Sequence, residues 1–182
     1  MTHGQTPAQT IGPFHSILQP LARAELVAAG DPDALVIEGT VYDGAGAPVT
    51  DALIEIWQAN RHGRYAHPAD TRELLAEPGF TGFGRRATDS SGTYRFVTVK
   101  PAFVEGEPAP HINLIIHARG LLVHLTTRIY FPGEAANASD PLLQSIIDPA
   151  IRETLIARES GPGHLRFDIR LQGEGETAFL AI

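Results

Sequence analysis

Glycine and proline cut this chain into short apolar runs, and that punctuation limits its possible folds more than any other feature. The 18 glycines and 14 prolines fall mostly between the runs, as expected of an all-β domain and not of a helical one. Residues Ala34–Tyr42 (ALVIEGTVY) and Asp51–Ala59 (DALIEIWQA) flank DGAGAPVT. Asp43-Gly44 and Gly46 would supply the positive φ that a hairpin loop requires, so the two runs are expected to pair. Further strands are predicted at Gly92–Lys100, His111–Ala118, Leu121–Phe131 and Leu165–Gln172. In the last, Phe167, Ile169 and Leu171 share one face and Arg166, Asp168 and Arg170 the other.

Two patches read as helical: Leu21–Ala29, and Asp140–Glu159, where apolar residues at helical spacing are interrupted by Pro149. The segment between Trp57 and Gly92 is polar and rich in glycine and proline, and too long for a plain connection. Such loops carry function or form interfaces. The net charge of −7 argues against nucleic acid or an anionic membrane as partner. With no cysteine, disulfides, thiolate metal sites and a cysteine nucleophile are excluded. No basic, apolar leader opens the chain, and no apolar run approaches the ~18 residues of a membrane span. A cytoplasmic protein is expected.

PAPHINLIIHARG (residues 108–120) carries the most suggestive chemistry. On a strand, His111, Asn113, Ile115 and His117 share one face, while Ile112, Leu114 and Ile116 face the core. Two histidines at i and i+2 would bring two imidazoles to one ion. Here the second position is Asn113, whose neutral amide oxygen is a weak ligand for a hard trivalent cation. On these residues alone the motif reads more readily as a histidine hydrogen-bonded within a polar cluster than as a metal site.

Thr6–Phe14 (TPAQTIGPF), Gly39–Asn60, Gly63-Arg64-Tyr65, Phe83-Gly84-Arg85, Gly92–Pro101, Pro110–Asn113 and Thr127–Pro132 together resemble the intradiol ring-cleavage dioxygenases. The likeness spans nearly the whole chain. The tail Arg166–Leu180, with Ala118-Arg119-Gly120, most resembles the α chain of the family's two-chain members. The resemblance implies a mainly β fold, an antiparallel β-sandwich over residues 34–182 with short helical decorations and long loops. It also implies an N-terminal arm and short helix over residues 1–33 that docks on another chain.

Members of the family hold a non-haem ferric ion with two tyrosines and two histidines. By position Tyr65 matches the first tyrosine and His111 the first histidine. Phe103 or Val104 stands where the second tyrosine is needed, Asn113 replaces the second histidine, and Pro108 takes the place of the arginine in the family's R-P-x-H-x-H run. Tyr65, His111 and Asn113 are therefore vestigial positions, and this chain is expected to hold no metal, since one tyrosine and one histidine lack the two hard phenolate donors that suit Fe(III). The resemblance places the Fe(III) in a partner β subunit, and makes this chain the one that completes the substrate pocket within a hetero-oligomer of repeated αβ units. The reaction it implies is cleavage of a small aromatic substrate, 3,4-dihydroxybenzoate, by O2 to 3-carboxy-cis,cis-muconate, with no catalytic residue in this chain alone. Arg119 would meet the substrate carboxylate, and Thr10, Gly12 and Pro13 would line the neighbouring pocket. Trp57 is expected in the core or at an interface, and His117 and His124 in a polar cluster near His111. A self-sufficient dioxygenase with unusual ligands and a transthyretin-like binding module are the other two readings.

Overall fold

The structure, a computed structural model, describes residues 23–181. Its strands are β1 (Leu35–Tyr42), β2 (Leu53–Trp57), β3 (Phe83–Ala87), β4 (Thr93–Thr98), β5 (His111–His117), β6 (Leu125–Tyr130), β7 (Arg158–Gly161), β8 (His164–Arg166) and β9 (Ile169–Arg170). They form two sheets, one ordered β4-β1-β8-β7 with β9 also on β1, the other β3-β2-β5-β6. The second sheet is antiparallel throughout. The first is mixed, since β8 and β9 run parallel to β1. Ile37, Phe96 and Ile169 of the first sheet pack with Ile54, Leu114 and Ile116 of the second in one apolar layer, the arrangement of a β-sandwich.

The expected hairpin between β1 and β2 does not form, because these strands lie in different sheets. The turn itself is present. Asp43 Oδ1 accepts from the N–H groups of Ala45 and Ala47, both at 2.9 Å, and Gly46 takes a positive φ of 79° while Gly44 does not. Val49 N–H still reaches Val41 O at 2.8 Å. Pro48 has no N–H to extend the ladder, and the edges of β1 are taken by β4 on one side and by β8 and then β9 on the other. The chain therefore crosses to the opposite sheet.

The N-terminal helical expectation also fails over residues 23–29: residues 23–26 run extended and the chain then bends into a turn. Ala24 and Leu26 are buried while Arg23 and Glu25 are exposed, a two-residue period that overrides the helical one. Arg23 pairs with Arg85 of β3, and Leu26 N–H donates to Val97 O of β4 at 2.8 Å, so this segment straps the two sheets together. The long polar segment contributes β3, which was not anticipated. The 140–159 patch resolves into α1 (Pro141–Ser145) and α2 (Pro149–Glu153) before β7. Each starts on an aspartate cap followed by proline, Asp140 and Asp148, so Pro149 opens a helix instead of breaking one. The Leu165–Gln172 run divides at Phe167, where Tyr94 Oη donates to Phe167 O at 2.6 Å and Asp168 Oδ1 takes the Thr40 N–H at 2.9 Å.

A smaller apolar cluster of Ala109, Tyr130, Leu143 and Leu155 lies apart from the main core. Ile112, Leu114, Ile116 and Ile129 point into the main core, so alternation sends His111, Asn113, Arg128 and Tyr130 to the other face, where the helical segment covers part of them. That face carries the site.

Candidate functional site

Strand register brings the first four groups together: His111 lies opposite Tyr130, and Asn113 opposite Arg128. Two loops add the rest. After β2, Asn60 Oδ1 accepts from His62 N–H at 2.9 Å and Arg64 N–H at 3.0 Å, folding the Gly63-Arg64-Tyr65 turn back toward Trp57. Gly63 is needed there, since its φ is 79° and a Cβ would sit 2.2 Å from Phe103 O. Tyr65 stacks on Trp57 with centroids 5.8 Å apart. Before β5, Glu107 N–H donates to Val104 O at 2.9 Å, and this turn carries the Glu107 carboxylate over the sheet.

The centre of the site is a guanidinium. Arg128 donates through Nη2 to Glu107 Oε1 at 2.9 Å and through Nε to Asn113 Oδ1 at 2.9 Å. Tyr65 Oη donates to Glu107 Oε2 at 3.1 Å, and Tyr130 Oη donates to Asp140 Oδ1 at 3.1 Å. His111 Nδ1 lies 2.9 Å from Ala109 O, which places the proton on Nδ1 and leaves a bare lone pair on Nε2. Among the described residues Nε2 is buried without a hydrogen-bond partner, 3.6 Å from Glu107 Oε1.

Electrostatics follow from this packing. Burial, reinforced by the Arg128 charge, holds the His111 imidazole below its usual range. Burial and the Glu107 carboxylate push the Tyr65 phenol well up, so it stays protonated and donates. Tyr130 is pushed up to about 12, chiefly by burial. For Arg128 burial works against the charge, but Tyr130 and Glu107 outweigh it and keep the guanidinium ionised.

Tyr65, His111 and Asn113 thus lie around one pocket, linked through Glu107 and Arg128. Val104 rather than Phe103 faces the site: Phe103 is 61% exposed, and Val104 lines a small cavity with Tyr65, Glu107, Ala109 and His111 that has no room for a water molecule. Outside it, Trp57, Tyr65, His67, Thr71 and Arg72 border an open groove of about 700 Å³. Glu107 and Arg128 were not anticipated. Only the four-residue spacing of Glu107 from His111 hinted at the first, and Arg128 reaches the site through cross-strand pairing that one strand's pattern does not reveal.

The other candidates lie elsewhere. His117 and His124 approach each other, with centroids 5.7 Å apart, but at the far end of β5, where Glu55 Oε2 is 3.7 Å from His117 Nε2. The expected cluster near His111 therefore does not form, because a strand advances about 3.3 Å per residue. Arg119 follows β5 at that same far end, 61% exposed and ion-paired with Asp51. Thr10, Gly12 and Pro13 lie outside the described residues.

Residues 12–173 match the family model Dioxygenase_C, described as "Dioxygenase". The chain belongs to the intradiol dioxygenase family. Among curated intradiol dioxygenases it is 40% identical over 196 residues to the protocatechuate 3,4-dioxygenase alpha chain of Burkholderia cepacia, covering 98% of each chain. The beta chain from that organism is 36% identical, with 93% of this chain and 77% of that one covered. Among solved structures, the dioxygenase domain of a dioxygenase carbohydrate-binding protein fusion from Streptomyces sp. SirexAA-E superposes with a TM-score of 0.63 at 31% identity, covering 96% of this chain and all of that one.

Intradiol dioxygenases work with Fe(III), and the donors here do not fit it. A protonated phenol, one imidazole and an amide oxygen engaged by a guanidinium offer no hard anionic set. The Glu107 carboxylate beside His111 is already bound to Arg128.

Proposed function

We infer that this chain is the α-type, iron-free subunit of a protocatechuate 3,4-dioxygenase and that a β-type partner holds the ferric ion. The observation that carries this reading is the ligand-poor pocket closed around Arg128 in a chain that matches an α chain end to end. The assembled enzyme opens the ring of 3,4-dihydroxybenzoate between its two hydroxylated carbons, and both atoms of O2 enter the product, 3-carboxy-cis,cis-muconate. This chain contributes binding and orientation.

Arg119 is our candidate for that role. It sits on the exposed turn that follows β5, beyond the strand end opposite His111, which supports assigning it to a pocket contributed by another chain and not to the remnant in its own. A guanidinium there matches the substrate carboxylate. The resemblance of the Thr10–Pro13 stretch to the α-chain entry segment supports giving Thr10, Gly12 and Pro13 a part in the same neighbouring pocket. Residues beyond them are committed differently, since Ala24 and Leu26 belong to this chain's own core.

The test is reconstitution with a β-type chain. The isolated subunit should carry no stoichiometric iron and lack the tyrosinate-to-iron colour, while the pair is active. Arg119→Ala should leave assembly intact and raise KM for 3,4-dihydroxybenzoate by about 10-fold or more, with little effect on a catechol that lacks the carboxylate. Stoichiometric iron and ring cleavage by the isolated chain would overturn the reading.

A further inference from the structure

The His111 site keeps several properties of a metal pocket although its donors do not suit iron. Its imidazole is held as a ligating histidine is held: Nδ1–H is anchored on the Ala109 carbonyl, and Nε2 presents a buried lone pair that no hydrogen bond among the described residues uses. Glu107 Oε1 stands 3.6 Å from that nitrogen. Two donors each about 2.1 Å from one tetrahedral ion lie roughly 3.4 Å apart, so the pair is already at chelating separation. The oxygens of Glu107 and Asn113 are oriented toward a positive charge, and the charge they meet is the guanidinium of Arg128, 2.9 Å from each.

We propose that Arg128 is a built-in guard against metallation: its guanidinium occupies the cation position between Glu107 and Asn113, and removing it uncovers a site for a divalent transition-metal ion made by Glu107, His111 and Asn113. The guard acts in two ways. It engages the carboxylate and the amide oxygen that an ion needs, and it sets a fixed positive charge within a few ångströms of the ion's position, where repulsion is weakly screened. A neutral Tyr65 phenol beside Glu107 adds no competing anion. The inference concerns this chain's own residues and holds whether or not the chain pairs with an iron-bearing partner.

The experiment uses the full-length chain and Co2+, followed by its visible ligand-field absorption and by metal analysis after gel filtration. Arg128→Ala should bind one Co2+ at least about 100-fold more tightly than the wild type. Arg128→Lys, which keeps the charge but loses the planar fork, should stay weak. Arg128→Ala combined with Glu107→Gln should lose the gain. A folded Arg128→Ala chain that binds Co2+ no better than the wild type would overturn the proposal, as would tight binding that survives Glu107→Gln. If Arg128→Ala unfolds, Co2+ should restore its fold, because ligation is linked to folding, and no restoration also overturns it. Ring cleavage by the reconstituted pair is measured separately, so the subunit reading stands or falls on its own result.

Discussion

Replacing Asp140 with alanine should loosen the site through its support. The Asp140 side chain is 1% exposed, and its Oδ1 accepts three hydrogen bonds: from Leu142 N–H and Leu143 N–H, both at 3.0 Å, and from Tyr130 Oη at 3.1 Å. The first two cap α1, and losing such a cap costs about 1 kcal/mol. The third leaves the hydroxyl hydrogen of a fully buried tyrosine without an acceptor, at a cost of about 1–3 kcal/mol. Together they predict a loss of about 2–4 kcal/mol. Urea unfolding of the full chain would read this as a lower midpoint with an unchanged slope. Tyr130→Phe on the Asp140→Ala background removes the orphaned hydroxyl, so the double variant should be more stable than additivity predicts by about 1 kcal/mol. Asp140→Asn keeps an acceptor oxygen and should fall between wild type and alanine. An alanine variant within about 0.5 kcal/mol of wild type, or strict additivity in the double variant, would refute the reasoning.

Three further outcomes follow from the same packing. The His111 imidazole is held below its ordinary range by burial and then by Arg128, with Ala109 O, Glu107 and Asp140 pulling the other way. Its proton therefore binds the unfolded chain more readily, and its stabilising contribution is complete above the unfolded value of about 6.5 and is lost as pH falls toward the folded value, by at most about 1.4 kcal/mol per pH unit. Unfolding curves at several pH values should show a shallower acid limb for His111→Gln, and an identical limb would count against the buried neutral ring. In Gly39→Ala the new Cβ would lie 1.7 Å from Phe167 O and 2.9 Å from Tyr94 Oη. That side chain must displace the Phe167 carbonyl and the hydrogen bond it accepts, at about 2–5 kcal/mol in thermal unfolding, and a neutral effect would show the β8–β9 junction to be placed wrongly. Arg61 ties Asp31, Asp33 and Glu77 together. Arg61→Met should speed cleavage of the loop between β2 and β3 by a non-specific protease several-fold, and unchanged cleavage would mean that the clip does not hold the loop.

Most of the strand content was legible in the sequence because an apolar period is local, whereas β3 (FGRRA) and β7 (RESG) carry no such period and were not anticipated. β5 is the clearest case, its buried isoleucines and leucine alternating with His111, Asn113 and His117 as read from PAPHINLIIHARG. Strand partners were not legible. The turn at Asp43–Gly46 formed, yet β1 and β2 parted, because pairing depends on which edges distant strands have already taken. The segment starting at Arg23 misled for a related reason: its residues allow both periods, and only the two sheet edges at Arg85 and Val97 select the extended one over residues 23–26.

The site divides in the same way. From its residues and their likeness to a family, the chain by itself determined that the pocket is ligand-poor: Asn113 cannot become a histidine, Val104 cannot become a phenol, and no fold changes that. Only the tertiary structure decided what fills the vacancy. Arg128 lies 15 positions after Asn113 in the chain and Glu107 lies in a turn outside any strand, and neither carries a periodic signal. They meet because antiparallel register sets Arg128 opposite Asn113 and the turn before β5 folds Glu107 onto the same face. Side-chain chemistry is written residue by residue, whereas the partners that compensate a charge are set by strand register and loop closure.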